Sequence, residues 1–186
     1  MRGRTVLDVG CGRGGAAALM ADLLKAKITG IDLSPQAIVF FRSAHRQATI
    51  QFDVGNAENL PARDNSFDII TNIESSHAYP VEKFFREVGR VLIQDGQFLY
   101  ADLLPSQLWA EVRELLKGLR FSTLHERSVT DNVVAACDVE LSECRKEFGR
   151  AHSMMDDFAA GPGSSIYERM RSGELEYRIL RLQKTG

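Results

Sequence analysis

A chain of 186 residues, 44% of them hydrophobic, can bury one sizeable core and is too short for two comfortable domains. Its 23 Lys and Arg against 25 Asp and Glu leave no basic footprint for gathering phosphates, so no nucleic-acid partner is expected. Cys11, Cys137 and Cys144 form no C-x-x-C pair, which argues against a disulfide scaffold and a structural metal site and fits a cytoplasmic setting. Neither a long apolar run nor a signal-peptide h-region occurs, so no membrane span is expected.

Strand-like apolar runs alternate with helical patterns, the signature of βαβ units around a parallel sheet. In chain order, strands are expected at Thr5 to Val9, Lys27 to Ile31, Ile50 to Asp53, Phe67 to Ile73 and Gln97 to Asp102. A helix is expected over Ala16 to Lys25, and Ser34-Pro35 reads as the N-cap and first position of the next. Pro80 to Leu92 places Val81, Phe84, Phe85 and Val88 on one face, and Ser106 to Leu119 carries an apolar stripe of Leu108, Val112, Leu115, Leu116 and Leu119, read as core. Beyond residue 120 the rhythm loosens. Phe121 to Arg127 reads as a strand, Thr130 to Phe148 as a helix, AGPGSS at 160 to 165 as a breaker, and Glu174 to Gln183 as a final strand.

The chemistry starts at VLDVGCGRGG, residues 6 to 15, where Gly10, Gly12 and Gly15 satisfy the G-x-G-x-x-G spacing of a dinucleotide site. That spacing alone admits any ligand of adenosine-like shape. Asp8, at the carboxyl end of the first strand, favours a cationic ligand over a pyrophosphate by roughly a few kcal/mol at partly buried separations. Its bland alternative is a carboxylate that accepts hydrogen bonds from the turn amides. Asp32 ends the second strand, where a carboxylate can hold both ribose hydroxyls; Ser34 already suits the capping task that would otherwise explain it.

VLDVGCGRG, GIDLS, VGNAENLP, FDIITNIESSHAYP and EVGRVLIQDGQFLYAD, in that order, resemble the successive motifs of class I S-adenosylmethionine-dependent methyltransferases over about residues 5 to 102. The closest flavour is the group acting on small molecules and lipids, in which E-S-x-H follows the fourth strand. The resemblance implies a Rossmann-like α/β fold: a seven-stranded, mostly parallel sheet with helices on both faces and an antiparallel last strand. It implies a single domain over 1 to 186, with a cofactor-binding half at 1 to 104 and an acceptor-side half at 105 to 186. It also implies S-adenosyl-L-methionine as cofactor, with its methionine portion against Asp8, Gly10 and Gly12, its ribose on Asp32 and its adenine against Leu33. Asn56 and Ala57 stand in the family's G-D-A position, where the Asn56 amide oxygen can still accept the adenine amino group. Backbone carbonyls of Asn72 and Ile73 would face the cofactor's ammonium. QDG at 94 to 96 replaces the usual P-G-G and affects a turn.

Sheet geometry puts His77, after the fourth strand, and Asp102, ending the fifth, on the ligand-binding rim as neighbours. Similar methyltransferases use a histidine there as general base and an aspartate as its support, without metal. The expected reaction is methyl transfer to a hydroxyl of a small-molecule or lipid-like acceptor. A nicotinamide-dependent oxidoreductase and a non-catalytic cofactor-binding module are the alternatives.

Cys11 has no base or cation beside it in the loop and reads as a backbone placement, not a nucleophile. His45, His125 and His152 lack ligand spacing. Met154, Met155 and Phe158 read as core before pocket, and Trp109 and Tyr167 are similar, with an acceptor-facing placement as the alternative that no spacing proves. Only Met1 to Arg4 precede the first strand where the family has an N-terminal helical cover, so the chain reads as a fragment, a mis-started frame, or a short form whose site is completed by a homodimer or by a lid from 128 to 172.

Overall fold

A computed structural model describes residues 3–44, 49–148 and 161–185. Its element order is β1 (Thr5–Val9), α1 (Gly15–Leu24), β2 (Lys27–Asp32), α2 (Pro35–Ala44), β3 (Ile50–Val54), β4 (Phe67–Ile73), a 3-10 turn (Ser76–Ala78), α3 (Val81–Val91), β5 (Leu92–Pro105), α4 (Leu108–Gly118), β6 (Phe121–Ser128), α5 (Thr130–Phe148), α6 (Ser165–Arg171) and β7 (Leu175–Lys184). The expectations at His45, His152, Met154, Met155 and Phe158, and the middle of the 128–172 segment, lie outside the described residues.

The seven strands form one sheet in the order β3-β2-β1-β4-β5-β7-β6, in which β7 runs antiparallel to both neighbours and the β1–β5 pairings are parallel. Because the chain leaves β1 first toward β3 and then returns to β4, the carboxyl ends of β1 and β4 flank the point of reversal. A ligand crevice belongs there.

Alternation along the strands sends side chains to two cores. Val6, Ile28 and Ile69 pack with Ala17, Ala21, Ile38 and Phe41 of α1 and α2. Leu7, Ile70, Phe98 and Tyr100 pack on the other face with Phe84, Phe85 and Val88 of α3 and Trp109, Val112 and Leu116 of α4. α3 forms where it does because Val81, Phe84, Phe85, Val88 and Val91 recur at helical spacing, and the last four are fully buried. Helix α2 opens on Ser34, whose hydroxyl accepts the Ala37 amide at 3.2 Å, as its Ser-Pro signature requires. A small third core of Val134, Cys137, Tyr167, Met170 and Leu175 ties α5 and α6 to β7.

Three sequence expectations shift. β5 begins at Leu92, not Gln97, and the turn expected at Gln94 to Gly96 is a kink inside it: Asp95 has φ 61° and the pairing to β4 jumps from Phe67–Leu92 to Ile69–Gln97. α6 was hidden by the breaker before it, yet Ser164 caps it by accepting the Tyr167 amide at 3.2 Å. Trp109 and Tyr167 do not face an acceptor crevice. Trp109 is core and donates its indole N–H to the Glu176 carbonyl at 3.0 Å, and Tyr167 is buried with its hydroxyl on Asp138.

The glycine turn is held from behind by Phe41, whose ring occupies the space a Cβ on Gly14 would need, while Gly14 itself sits at φ 75°. A Gly14→Ala substitution combines a left-handed backbone with overpacking and is expected to cost about 2–4 kcal/mol, read as a lowered urea midpoint with an unchanged slope.

Candidate active site

The turn after β1 is anchored to β2. The amides of Gly10 and Cys11 donate to the Ile31 carbonyl at 2.8 and 3.1 Å, and the Gly12 amide donates to Asp32 Oδ2 at 2.8 Å. Asp32 Oδ1 takes the Ser34 amide at 2.8 Å, so each carboxylate oxygen holds one donor and keeps room for another. Beside it Leu33 is 70% exposed, an apolar side chain with no core to serve. Gly12 has φ 53°, and no heavy atom lies within 4 Å of where its Cβ would stand: the open side of the turn is space, not packing. Asn56 is exposed and accepts the Glu58 amide at 2.9 Å, with Ala57 buried next to it.

Asp8 is buried. Its Oδ1 accepts the Thr71 hydroxyl at 2.6 Å, and its Oδ2 has no partner among the described residues. Burial pushes the Asp8 carboxyl up to about 6, the Thr71 hydrogen bond pulls against that, and the Asp32 charge adds to it. The bland alternative of turn amides on Asp8 is not what holds it. Asn72, also fully buried, donates Nδ2 to the Val9 carbonyl at 2.9 Å and stands 2.6 Å from Ser75 Oγ and 2.8 Å from the Tyr79 hydroxyl; its Oδ1 is unpartnered among the described residues. Two buried acceptors without donors flank the point where the sheet reverses, on its two faces. Such atoms are costly unless a ligand supplies the missing donors. Ile73 is half-exposed at the end of β4. Cys11 is inert, its thiol pushed up to about 12 by burial and by the Asp8 and Asp32 charges.

Across the rim, Asp102, on β5 just past its last pairing with β4, has no solvent exposure and collects five donors: the amides of Ser76 (2.9 Å), His77 (3.2 Å) and Leu103 (2.8 Å), the Ser76 hydroxyl (2.5 Å) and His77 Nδ1 (2.8 Å). Those donors replace the water the carboxylate has lost. Because Asp102 accepts, the network assigns the proton of a neutral His77 to Nδ1 and leaves Nε2 as the free lone pair. The imidazole is half exposed while its partner is buried, so the pair is anchored on one side and open on the other. Tyr100 OH lies 2.7 Å from Ser76 Oγ behind the carboxylate. A cavity of about 540 Å³ opens beside His77, toward α3 and α4.

The expected residues therefore divide. His77 and Asp102 are in direct contact. Asp8, Gly10, Gly12, Asp32, Leu33, Asn72 and Ile73 gather around the ends of β1, β2 and β4, and Asn56 and Ala57 follow β3. Thr71, Ser75, Ser76, Tyr79 and Tyr100 escaped sequence reasoning. For Ser76 the signal was its place beside His77; for Thr71 and Tyr100, only strand register could have found them. Among the described residues no three His, Cys, Asp or Glu side chains are grouped to hold a metal, and no helix is long and apolar enough to cross a membrane.

The model of a methyltransferase domain family matches residues 7–100, which contain the glycine turn, Asp32 and the E-S-x-H turn. The chain belongs to the class I S-adenosylmethionine-dependent methyltransferases. This methyltransferase is 36% identical over 184 residues to a fatty-acid O-methyltransferase of Mycolicibacterium smegmatis, covering 96% of this chain and 67% of that one. It is 33% identical over 191 residues to a phthiotriol/phenolphthiotriol dimycocerosates methyltransferase of Mycobacterium leprae, covering 99% and 71%. The chain thus spans about two-thirds of the length of these relatives. Its fold matches that of a putative sarcosine dimethylglycine methyltransferase from Galdieria sulphuraria, with a TM-score of 0.82 at 22% identity over 100% of this chain and 79% of that one. The cofactor of the methyltransferase is S-adenosylmethionine, and the dinucleotide reading of the glycine spacing is set aside. The residues present fit that ligand: two orphaned buried acceptors, a carboxylate with spare capacity, an exposed leucine and an unfilled turn.

Asp8 makes a prediction that needs no ligand. Its folded carboxyl, near 6, lies above the unfolded value of 3.8, so the folded state binds more protons between those values, and this group's contribution to stability falls as pH rises from about 4 to 6. The full swing is about 3 kcal/mol. In urea titrations at stepped pH, Asp8→Asn is expected to lose that slope, so that wild type minus variant falls by about that amount between pH 4 and 6.

Proposed function

We propose that this methyltransferase transfers a methyl group to a hydroxyl of a lipid-like acceptor, with His77 as general base and Asp102 as its positioning partner. The observation that carries the reading is the 2.8 Å contact between His77 Nδ1 and a fully buried Asp102, with the imidazole open on its other side, on the ligand-binding rim of a methyltransferase sheet. The names of the relatives, one a fatty-acid and the other a phthiotriol methyltransferase, support a lipid-like acceptor.

On the cofactor side, Asp32 takes the ribose hydroxyls with the acceptor capacity left beside its two amide contacts, Leu33 covers the adenine, and Asn56 and Ala57 frame its amino group. Gly12 leaves the turn open for the amino-acid end, Gly10 lets the turn close against Ser75 behind it, and Asp8, Asn72 and Ile73 supply the negative and acceptor groups that favour an ammonium. When bound, S-adenosylmethionine supplies an electrophilic methyl on a sulfonium centre.

A hydroxyl is a poor nucleophile until its proton leaves. Asp102 holds the imidazole in the tautomer that exposes Nε2, and Nε2 accepts the hydroxyl proton as the oxygen attacks. The imidazolium that results is stabilised by the Asp102 carboxylate 2.8 Å away, and it returns its proton to water through the exposed edge of the ring. Alignment on rigid strand ends provides the rest of the acceleration, on the order of 7 to 11 kcal/mol.

His77→Ala is expected to cut turnover of a long-chain alcohol by about 10²- to 10⁴-fold while S-adenosylhomocysteine affinity stays near wild type. Unchanged turnover removes His77 from the chemistry; cofactor binding without turnover of any acceptor by wild type favours a non-catalytic module. Cofactor affinity carries its own test. With the Asp8 carboxyl near 6, calorimetric affinity for S-adenosylhomocysteine is expected to be about tenfold weaker at pH 5 than at pH 7.5, with that dependence reduced in Asp8→Asn.

A further inference from the structure

The cavity beside His77 is not a simple continuation of the cofactor crevice. It runs from the 3-10 turn between the start of α3 and the outward flank of α4, and its volume of about 540 Å³ falls in the range of small-molecule sites. Its walls are Val81, Leu104, Leu108, Val112 and Leu115. Leu108 and Leu115 belong to the α4 stripe that the sequence assigns to core. Val112 and Leu116 of that stripe are buried, but Leu108 is 36% exposed and Leu115 only partly covered. The stripe is wider than the sheet can cover, and its surplus lines this cavity.

Apart from His77, the charged side chains that line it are acidic. Glu82 and Glu111 are the two carboxylates of the lining, and no Lys or Arg is among the lining residues. Glu82 is partly offset by Arg86 at 2.7 Å, whereas Glu111 has no ion pair among the described residues. Behind His77 stands the Asp102 carboxylate. A free carboxylate entering here meets negative charge at the mouth and at the reacting end, and no Lys or Arg lines the cavity to pair with it.

Resting on the proposed hydroxyl chemistry at His77, we infer that this cavity is the alkyl channel of the acceptor and that its acidic rim selects a neutral long-chain alcohol over a fatty acid. The hydroxyl lies at His77, the chain runs along Leu104 and Leu108 toward Leu115, and the two glutamates penalise a carboxylate headgroup. Affinity then climbs about fourfold per methylene until the cavity is filled, which a polar acceptor site does not show.

The test is binding of 1-butanol, 1-decanol and decanoate to the protein saturated with S-adenosylhomocysteine, by calorimetry and ligand-observed NMR, with methyl transfer measured in parallel. Wild type is expected to bind 1-decanol far more tightly than 1-butanol and about tenfold more tightly than decanoate. Leu115→Trp fills the channel, and Leu108→Trp does so from its more exposed end in case the first variant folds poorly. Either one, provided it keeps wild-type S-adenosylhomocysteine affinity, is expected to weaken 1-decanol by at least about tenfold and 1-butanol little. Glu82→Gln with Glu111→Gln is expected to narrow the gap between alcohol and acid to about threefold or less. Wild-type 1-decanol affinity in both folded tryptophan variants overturns the channel. Equal binding of decanoate and 1-decanol to wild type, or an unchanged gap in the double glutamine variant, overturns the charge selection. Channel-dependent 1-decanol binding without methyl transfer leaves this inference standing and removes the hydroxyl-methylation reading instead.

Discussion

One buried carboxylate organises the rim where the pairing of β4 with β5 runs out. Asp102 sits on β5 just past that point with no water around it, and a bare anion there would be prohibitively costly. The turn Ser76–Ala78 supplies the remedy by bringing two amides, a hydroxyl and an imidazole N–H onto the two carboxylate oxygens. The turn therefore has little freedom to adopt another shape while β5 is in place. His77 is oriented because the backbone that carries it is already committed to the same anion, and Tyr79 and Val81 follow in the chain to form one end of the cavity. Removing the carboxylate would leave not one unsatisfied donor but several.

Asp8 presents the opposite case on the other face of the sheet. It too is buried, but with a single hydroxyl partner and one orphaned oxygen, and its carboxyl rises accordingly. A folded protein tolerates such an atom when something in its working cycle compensates it. The contrast between the two carboxylates is thus informative in itself: the one saturated by the chain serves as scaffold, and the one left wanting supports the reading of a site for a positively charged ligand.

The sequence carried the sheet well because buried parallel strands announce themselves as apolar runs and the intervening helices by their period. Thr5–Val9 and Phe67–Ile73 needed no revision. It misjudged β5 because a kink at Asp95 and Gly96 resembles a turn unless the pairing to β4 is known. The pairing of His77 with Asp102 was legible since the turn after β4 and the carboxyl-terminal part of β5 meet at one rim. The partners of Asp8 and Asp102 were not, because Thr71 and Tyr100 acquire their roles through register, which no local pattern encodes. The stripe on α4, read as core, is core at Val112 and Leu116 and only partly covered at Leu108 and Leu115. Periodicity reveals which face of a helix is apolar, but how much of that face a sheet can cover depends on how wide the sheet is beneath it.

The two halves of the site are joined by one small polar cluster. Asn72, Ser75 and the Tyr79 hydroxyl lie within 2.9 Å of one another, and Asn72 also binds the Val9 carbonyl just before the glycine turn. Ser75 stands where a Cβ on Gly10 would have to go, so the E-S-x-H turn is seated directly on the cofactor loop. Tyr79, at the far side of the cluster, lines the cavity. Displacement reactions reward alignment more than any single contact, and misplacement by an ångström is enough to lose it. A chain that builds the glycine turn, His77 and the first wall of the cavity around one hydrogen-bonded knot fixes their spacing locally, without relying on the distant segments after β6. The cost is that substitutions at Ser75 or Asn72 cannot be confined to one side of the crevice.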